Sequence, residues 1–150
     1  VSSKSLETEK NKSIKLITMF DVVEHLDNPL KFLKTANRKL KKNGYIFFHT
    51  PNIHSLSFKL MGEDHNMFSA FNHLCFYNRP SLEYLAKKTG FKLVKIEYFG
   101  LDIKDYLQML ETKYTNIKFN KILNKFSNLA QSVLDYSSVS NSMRIIFKKI

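Results

Sequence analysis

Short apolar runs alternate with amphipathic stretches along this chain. Ile14–Phe20 is an apolar run of strand length, and Tyr45–His49 and Phe91–Phe99 are two more. Between the first two, Asp27-Asn28-Pro29 has the form of an N-cap with proline at the first helical position. The helix it predicts runs to Lys42 with Leu30, Leu33, Ala36 and Leu40 on one face, and Gly44 stands where a left-handed C-cap is expected. Thr50-Pro51-Asn52 stops the second strand, and residues 53–77 read as a loop-rich stretch with a short helix. Pro80 opens another helix, with Leu82, Leu85 and Ala86 facing inward, and Gly90 closes it. Amphipathic segments at about 102–114 and 117–136 follow, and Met143–Lys149 closes the chain as a last strand. Residues 1–13 (VSSKSLETEKNKS) are polar and read as a mobile lead-in or linker.

This succession of strands and helices is an α/β pattern. The short helical crossover between the first two strands implies that they are parallel neighbours. Sites in open parallel sheets lie beyond the carboxyl ends of the strands. Phe20–His25 and His49–Asn52 are therefore expected on one functional edge.

Composition narrows the picture. One domain fits 150 residues, and 43% hydrophobic content excludes a disordered chain, a collagen and a disulfide scaffold. No run approaches the roughly 18 apolar residues of a membrane span. The opening segment lacks an apolar h-region, so no signal peptide is expected, and the absence of a starting Met fits a fragment, processing or an alternative start codon. A lone cysteine, Cys75, cannot form an internal disulfide, which suits a reducing cytoplasm. The net charge of +11 raises the question of nucleic acid. However, 21 Lys stand against 3 Arg, beside 13 Asn and 11 Ile but only 4 Ala and 4 Gly. A/T-rich coding produces that bias without a selected polyanion. The densest run, Arg38-Lys39-Leu40-Lys41-Lys42, sits at a helix end where cations suit the macrodipole. A solvated surface is the preferred reading over a polyanion site.

Residues 17–52 (ITMFDVVEHLDNPLKFLKTANRKLKKNGYIFFHTPN) resemble the middle of class I S-adenosylmethionine (SAM)-dependent methyltransferases. The branch in question has an acidic-x-x-Glu-His turn after its fourth strand, here Asp21, Glu24 and His25. A proline-started helix (Pro29), a Leu-Lys-x-x-Gly stop (Leu40 to Gly44) and a strand ending in Thr50-Pro51-Asn52 follow in order. His73, Phe76, Pro80-Ser81-Leu82 and Gly90-Phe91 match the next segment, so the likeness runs from about residue 14 to 99. It is similar to ubiquinone-pathway O-methyltransferases and small-RNA 2′-O-methyltransferases. The resemblance implies a Rossmann-like fold represented by its C-terminal half, strands four to seven in the order 4-5-7-6, with residues 14–150 a partial domain. The family's Gly-rich first-strand turn has no counterpart, because all four glycines lie downstream of Phe20, and Lys15 stands where the family usually has Asp. A missing N-terminal segment or a partner chain is therefore expected to cover strand four, whose bare edge invites pairing.

The resemblance also assigns roles. Met19, Phe20 and Asp21 stand where the family holds SAM. The same turn with a later histidine holds a metal in related enzymes, which makes Asp21, Glu24, His25 and His73 the ligand candidates. Read from spacing alone, Asp21, Glu24 and His25 fall at i, i+3 and i+4, on one face of a helical turn. Two carboxylates with imidazole suit Mg²⁺, Mn²⁺ or a transition metal, which would acidify the hydroxyl of a small-molecule methyl acceptor. Two alternatives stand beside this: His25, with Glu24, as a metal-free catalytic pair in which His25 is the general base, or both as hydrogen-bonded turn residues. His49 is read as a satisfied strand-end residue, and His54 and His65 as surface residues. The competing functions are a non-catalytic remnant or assembly subunit of the same fold, and an RNA-binding or RNA-modifying protein.

Overall fold

The computed structural model describes residues 3–65, 67, 73–113 and 121–150. Helix α1 (Ser3–Thr8) precedes β1 (Ile14–Phe20), α2 (Pro29–Lys39), β2 (Leu40–Pro51) and α3 (Leu56–Met61). Then come α4 (Arg79–Lys88), β3 (Phe91–Phe99), α5 (Asp102–Lys113), α6 (Lys121–Tyr136) and β4 (Ser142–Lys149). The four strands form one sheet in the order β1-β2-β4-β3. β1 and β2 are parallel, with Phe20 opposite His49, while β4 runs antiparallel to both β2 and β3. This is the order the resemblance implies, and it is the α/β arrangement expected from the sequence.

Alternation along the strands sends Ile46 and Phe48 of β2, with Met143, Ile145 and Phe147 of β4, to one face, all without solvent exposure. Leu33 and Ala36 of α2 and Leu82, Leu85 and Ala86 of α4 join them in a single core. On the other face at the β1–β2 end, Leu16, Phe20 and Tyr45 remain 54%, 59% and 39% exposed.

Local chemistry sets the boundaries. The Asn28 side chain accepts from the Lys31 N–H at 2.9 Å and caps α2, whose first residue is Pro29. The helix ends at Lys39, three residues before the predicted end, and residues 40–42 belong to β2. The left-handed residue is Asn43 (φ 60°), not Gly44. Gly44 is instead in close contact with its surroundings: a Cβ there would lie 3.0 Å from the Lys41 carbonyl oxygen and 3.1 Å from that of Lys15. Asn78 and Ser81 form a reciprocal capping box at α4, and Gly90 (φ 76°) ends that helix as predicted. The polar opening segment is anchored: Leu6 of α1 is buried in the core, the Lys39 ammonium donates to the Glu7 and Glu9 carbonyls, and the Lys12 and Ser13 N–H groups donate to the Arg38 and Lys39 carbonyls. Among the described residues no helix is long and apolar enough to cross a membrane.

Candidate functional site

The two motif-bearing strand ends meet at the carboxyl edge of β1 and β2. The chain leaves β1 through Asp21, whose φ of 51° is left-handed, and enters a single 3-10 turn at Val23–His25. The His25 N–H donates to the Val22 carbonyl at 3.1 Å. A left-handed residue ahead of so short a turn keeps Asp21 off the helical face that its spacing predicts. Its carboxylate lies 2.7 Å from His49 Nδ1 instead. His49 is thus more than a strand end: it holds Asp21, stacks near Phe99 with centroids 5.3 Å apart, and buries an Nε2 that has no partner.

Residues 73–77 are laced onto the turn from the opposite side. The Leu74 and Cys75 N–H groups both donate to the Glu24 carbonyl, at 2.9 and 3.0 Å. The buried Tyr77 hydroxyl donates to the Val23 carbonyl at 3.2 Å. These bonds set His73 beside His25, ring centroids 4.8 Å apart. Glu24, His25 and His73 each bring one ligand-type atom into a group whose members lie within 4.8 Å of one another. Of the four predicted ligands, the structure gathers these three and leaves Asp21 on His49.

Glu24 is 1% exposed, and neither of its carboxylate oxygens has a hydrogen-bond partner in another residue. Burial pushes its carboxyl above the ordinary range; its own backbone amide, His25 and His73 pull it down, and Asp21 pushes it further up. Leaving a buried carboxylate without partners is costly, and a cation or a proton relieves that cost. His73 Nδ1 sits 2.7 Å from the Met67 carbonyl. A carbonyl only accepts, so Nδ1 carries a proton, and the neutral form of the ring then has its lone pair on Nε2. One carboxylate and two imidazoles form a set suited to a divalent metal, or to proton transfer in its absence.

Of the residues expected at the cofactor end, Met19 is buried in the core, whereas Phe20 is exposed with its ring edge-on to Phe47 at 5.6 Å. Cys75 is half-buried, its thiol turned to the Leu26 carbonyl. His54 is exposed as expected. His65 is not: it is 2% exposed, stacked on Phe58 at 4.0 Å, with Nε2 3.0 Å from Ser57 Oγ. Ser57 Oγ in turn donates to Asp102 at 2.6 Å. No periodicity links residues 57, 65 and 102, so this network was not visible in the sequence.

Comparison with known proteins agrees with the fold. A family model described as a methyltransferase domain matches residues 2–96. No curated protein matches the chain. Among solved structures, a SAM-dependent methyltransferase from Archaeoglobus fulgidus is similar at 21% identity and TM-score 0.61, covering 98% of this chain and 64% of its own. A SAM-dependent methyltransferase from Thermotoga maritima, described as a possible histamine N-methyltransferase, is similar at 17% identity and TM-score 0.58, with coverages of 95% and 59%. Phosphoethanolamine N-methyltransferase 2 from Haemonchus contortus, solved with SAM, is similar at 21% identity and TM-score 0.52, with coverages of 94% and 34%. The chain therefore spans less than two thirds of the length of each of these structures. With the family model matching more than half of its residues, the chain belongs to the methyltransferase domain family and carries the Rossmann-like class I fold of SAM-dependent methyltransferases.

Proposed function

We propose that this protein is part of a SAM-dependent methyltransferase that transfers the methyl group to an oxygen of a small-molecule acceptor. In this reading it belongs to the branch resembling ubiquinone-pathway O-methyltransferases and small-RNA 2′-O-methyltransferases. Residues 14–150 supply the later part of the domain, residues 1–13 lead into it, and Phe20 and Asp21 face the cofactor, with Met19 packed in the core beneath them. A preceding segment or a partner chain completes the sheet beside β1.

The observation that carries the reading is the buried, unpartnered Glu24 carboxylate grouped with His25 and His73 within 4.8 Å. Glu24 supplies negative charge, and His73 presents the Nε2 lone pair left by its bond to Met67. His25 completes the donor set from the exposed side of the turn. A divalent cation held by these three supplies Lewis acidity that lowers the pKa of an acceptor hydroxyl. Asp21, engaged by His49, belongs in this reading to the cofactor side.

The test is titration of the folded chain with SAM by calorimetry, with and without Mg²⁺, paired with Mn²⁺ binding followed by electron paramagnetic resonance. Saturable Mn²⁺ binding that disappears in Glu24→Ala is the expected result. SAM binding without Mn²⁺ binding would transfer the role to His25 as a metal-free base. A folded chain that binds neither would overturn the catalytic reading for the chain by itself and leave a non-catalytic part of the fold.

A further inference from the structure

A one-way chain of hydrogen bonds runs along the carboxyl edge of the sheet, from the β3–α5 connection to His73. It begins at Asp102, the first residue of α5, which is 2% exposed. One carboxylate oxygen of Asp102 accepts from Gln131 Nε2 of α6 at 3.0 Å and from the Asn141 N–H at 2.9 Å, next to β4. The other accepts from Ser57 Oγ at 2.6 Å. A carboxylate in that position only accepts, so Ser57 spends its proton there and must accept from its other neighbours, Ser55 Oγ at 3.1 Å and His65 Nε2 at 3.0 Å. His65 therefore carries its proton on Nε2.

The far nitrogen of the same ring agrees independently. The Met67 N–H donates to His65 Nδ1 at 3.1 Å, which requires Nδ1 to be unprotonated. His65 is thus neutral and held in one tautomer from both sides, with Phe58 stacked at an interplanar angle of 10°. Its burial, which disfavours the charged form, acts in the same direction. Met67 is gripped at both ends of one residue: its N–H by His65, and its carbonyl by His73 Nδ1 at 2.7 Å.

We infer that His65 is a positioning residue for His73: through Met67 it fixes the carbonyl that holds the proton on His73 Nδ1 and thereby aims the Nε2 lone pair at Glu24 and His25. Ser57 and Asp102 set the tautomer of His65 and tie it to α5, α6 and the start of β4. Groups that orient a metal-binding or proton-accepting imidazole in this way set its affinity and basicity without touching the substrate. The inference rests on His73 belonging to the site proposed above, but the hydrogen-bond chain itself does not require a metal.

Two measurements on the full chain separate the two ideas. In metal-free protein, ¹⁵N shifts of the histidine rings report tautomers directly. His65 is expected as the Nε2–H form and His73 as the Nδ1–H form, and any other pair overturns the inference with no substitution needed. Next, His65→Phe keeps the stack on Phe58 but cannot accept from Met67. His65→Asn places an amide oxygen near the former Nδ1 and keeps that bond. Expected are loss of the single His73 tautomer and Mn²⁺ binding weaker by roughly 10–100-fold in the Phe variant, with both restored in the Asn variant. An unchanged His73 tautomer in His65→Phe overturns the positioning role. If the wild-type chain binds no Mn²⁺, the metal reading fails, while the tautomer comparison still decides the role of His65.

Discussion

The two faces of the β1–β2 pair have nearly the same apolar content and opposite fates. Met19, Ile46 and Phe48 point to a face sealed by α2 and α4 and are buried to within 5%. Leu16, Phe20 and Tyr45 point to the other, where no described element covers them and each is at least 39% exposed. Strands of parallel sheets covered by helices on both sides read as continuous apolar runs, whereas half-solvated strands alternate with polar residues. IKLITMF and YIFFHT are of the first kind, so their sequence is written for two covers while these residues have one. That supports the proposal that a preceding segment or a partner chain packs here.

The sharpest way to break the comparison is to remove a large side chain from the sealed face. Phe48 is fully buried and meets Phe147 edge-on at 5.0 Å. Phe48→Ala should cost about 3–5 kcal/mol, through lost transfer energy and the cavity left behind. At roughly 2–4 °C per kcal/mol for a domain of this size, the melting temperature should fall by about 10 °C. Differential scanning calorimetry checks this, and a loss of only a degree or two would mean that the core is not where the burial pattern puts it.

A smaller effect, of opposite sign, is expected at the site. Glu24 has its carboxyl raised above 4.5 by burial, so the native state binds its proton more tightly than the unfolded chain does. Stability should therefore fall as pH rises from about 4.5 through the raised native value, and the charged form at neutral pH is the less stable one. Glu24→Gln keeps the shape without the charge. It should raise the melting temperature at pH 7 by about 2–4 °C, the equivalent of roughly 1 kcal/mol, while abolishing Mn²⁺ binding. A variant that melts lower than wild type at pH 7 would show that the carboxylate is well solvated or already paired.

His65 gives the mirror image. Its pKa is lowered from 6.5 by burial, opposed by the Asp102 charge, so the unfolded chain binds the proton more readily. Its contribution is complete above pH 6.5 and is lost as pH falls from there through the lower native value. Melting temperatures of His65→Phe measured from pH 7.5 to 5 should be flatter than those of wild type. Identical slopes for the two proteins would exclude His65 as their source.

How much of this was legible in sequence depends on the range of the interaction involved. Strands, caps and strand order follow from local chemistry, such as Asn28-Pro29, Asn78 with Ser81, and Gly90, together with the family likeness of residues 17–52. The grouping of Glu24 and His25 with His73 was expected only by resemblance, because 47 residues lie between His25 and His73 and no periodicity spans them. Asp21 departed from its predicted face because one left-handed residue before a three-residue turn defeats an i, i+3, i+4 argument. His65 was misplaced on the surface for a related reason. A histidine in a polar loop reads as solvated unless its partners are known, and here they are Ser57 and Asp102 from other elements.

The smallest expected effect is the one that most sharpens the comparison of the two faces. Leu16 is 54% exposed, and its neighbours Lys15 and Thr18 are exposed too. Leu16→Thr keeps a residue suited to strands while removing apolar surface from the uncovered face. Little packing is lost, so the melting temperature should hold to within about 0.5 kcal/mol, far from the Phe48→Ala result. What should change is association. β1 pairs only with β2 among the described residues, and an apolar strand with a free edge is a template for other chains. Static light scattering across a concentration series should show less self-association in Leu16→Thr than in wild type. Equal association at unchanged stability would mean that contacts between chains form elsewhere. A melting temperature lowered as far as by Phe48→Ala would mean that the second face is already packed, and the case for a missing cover would end there.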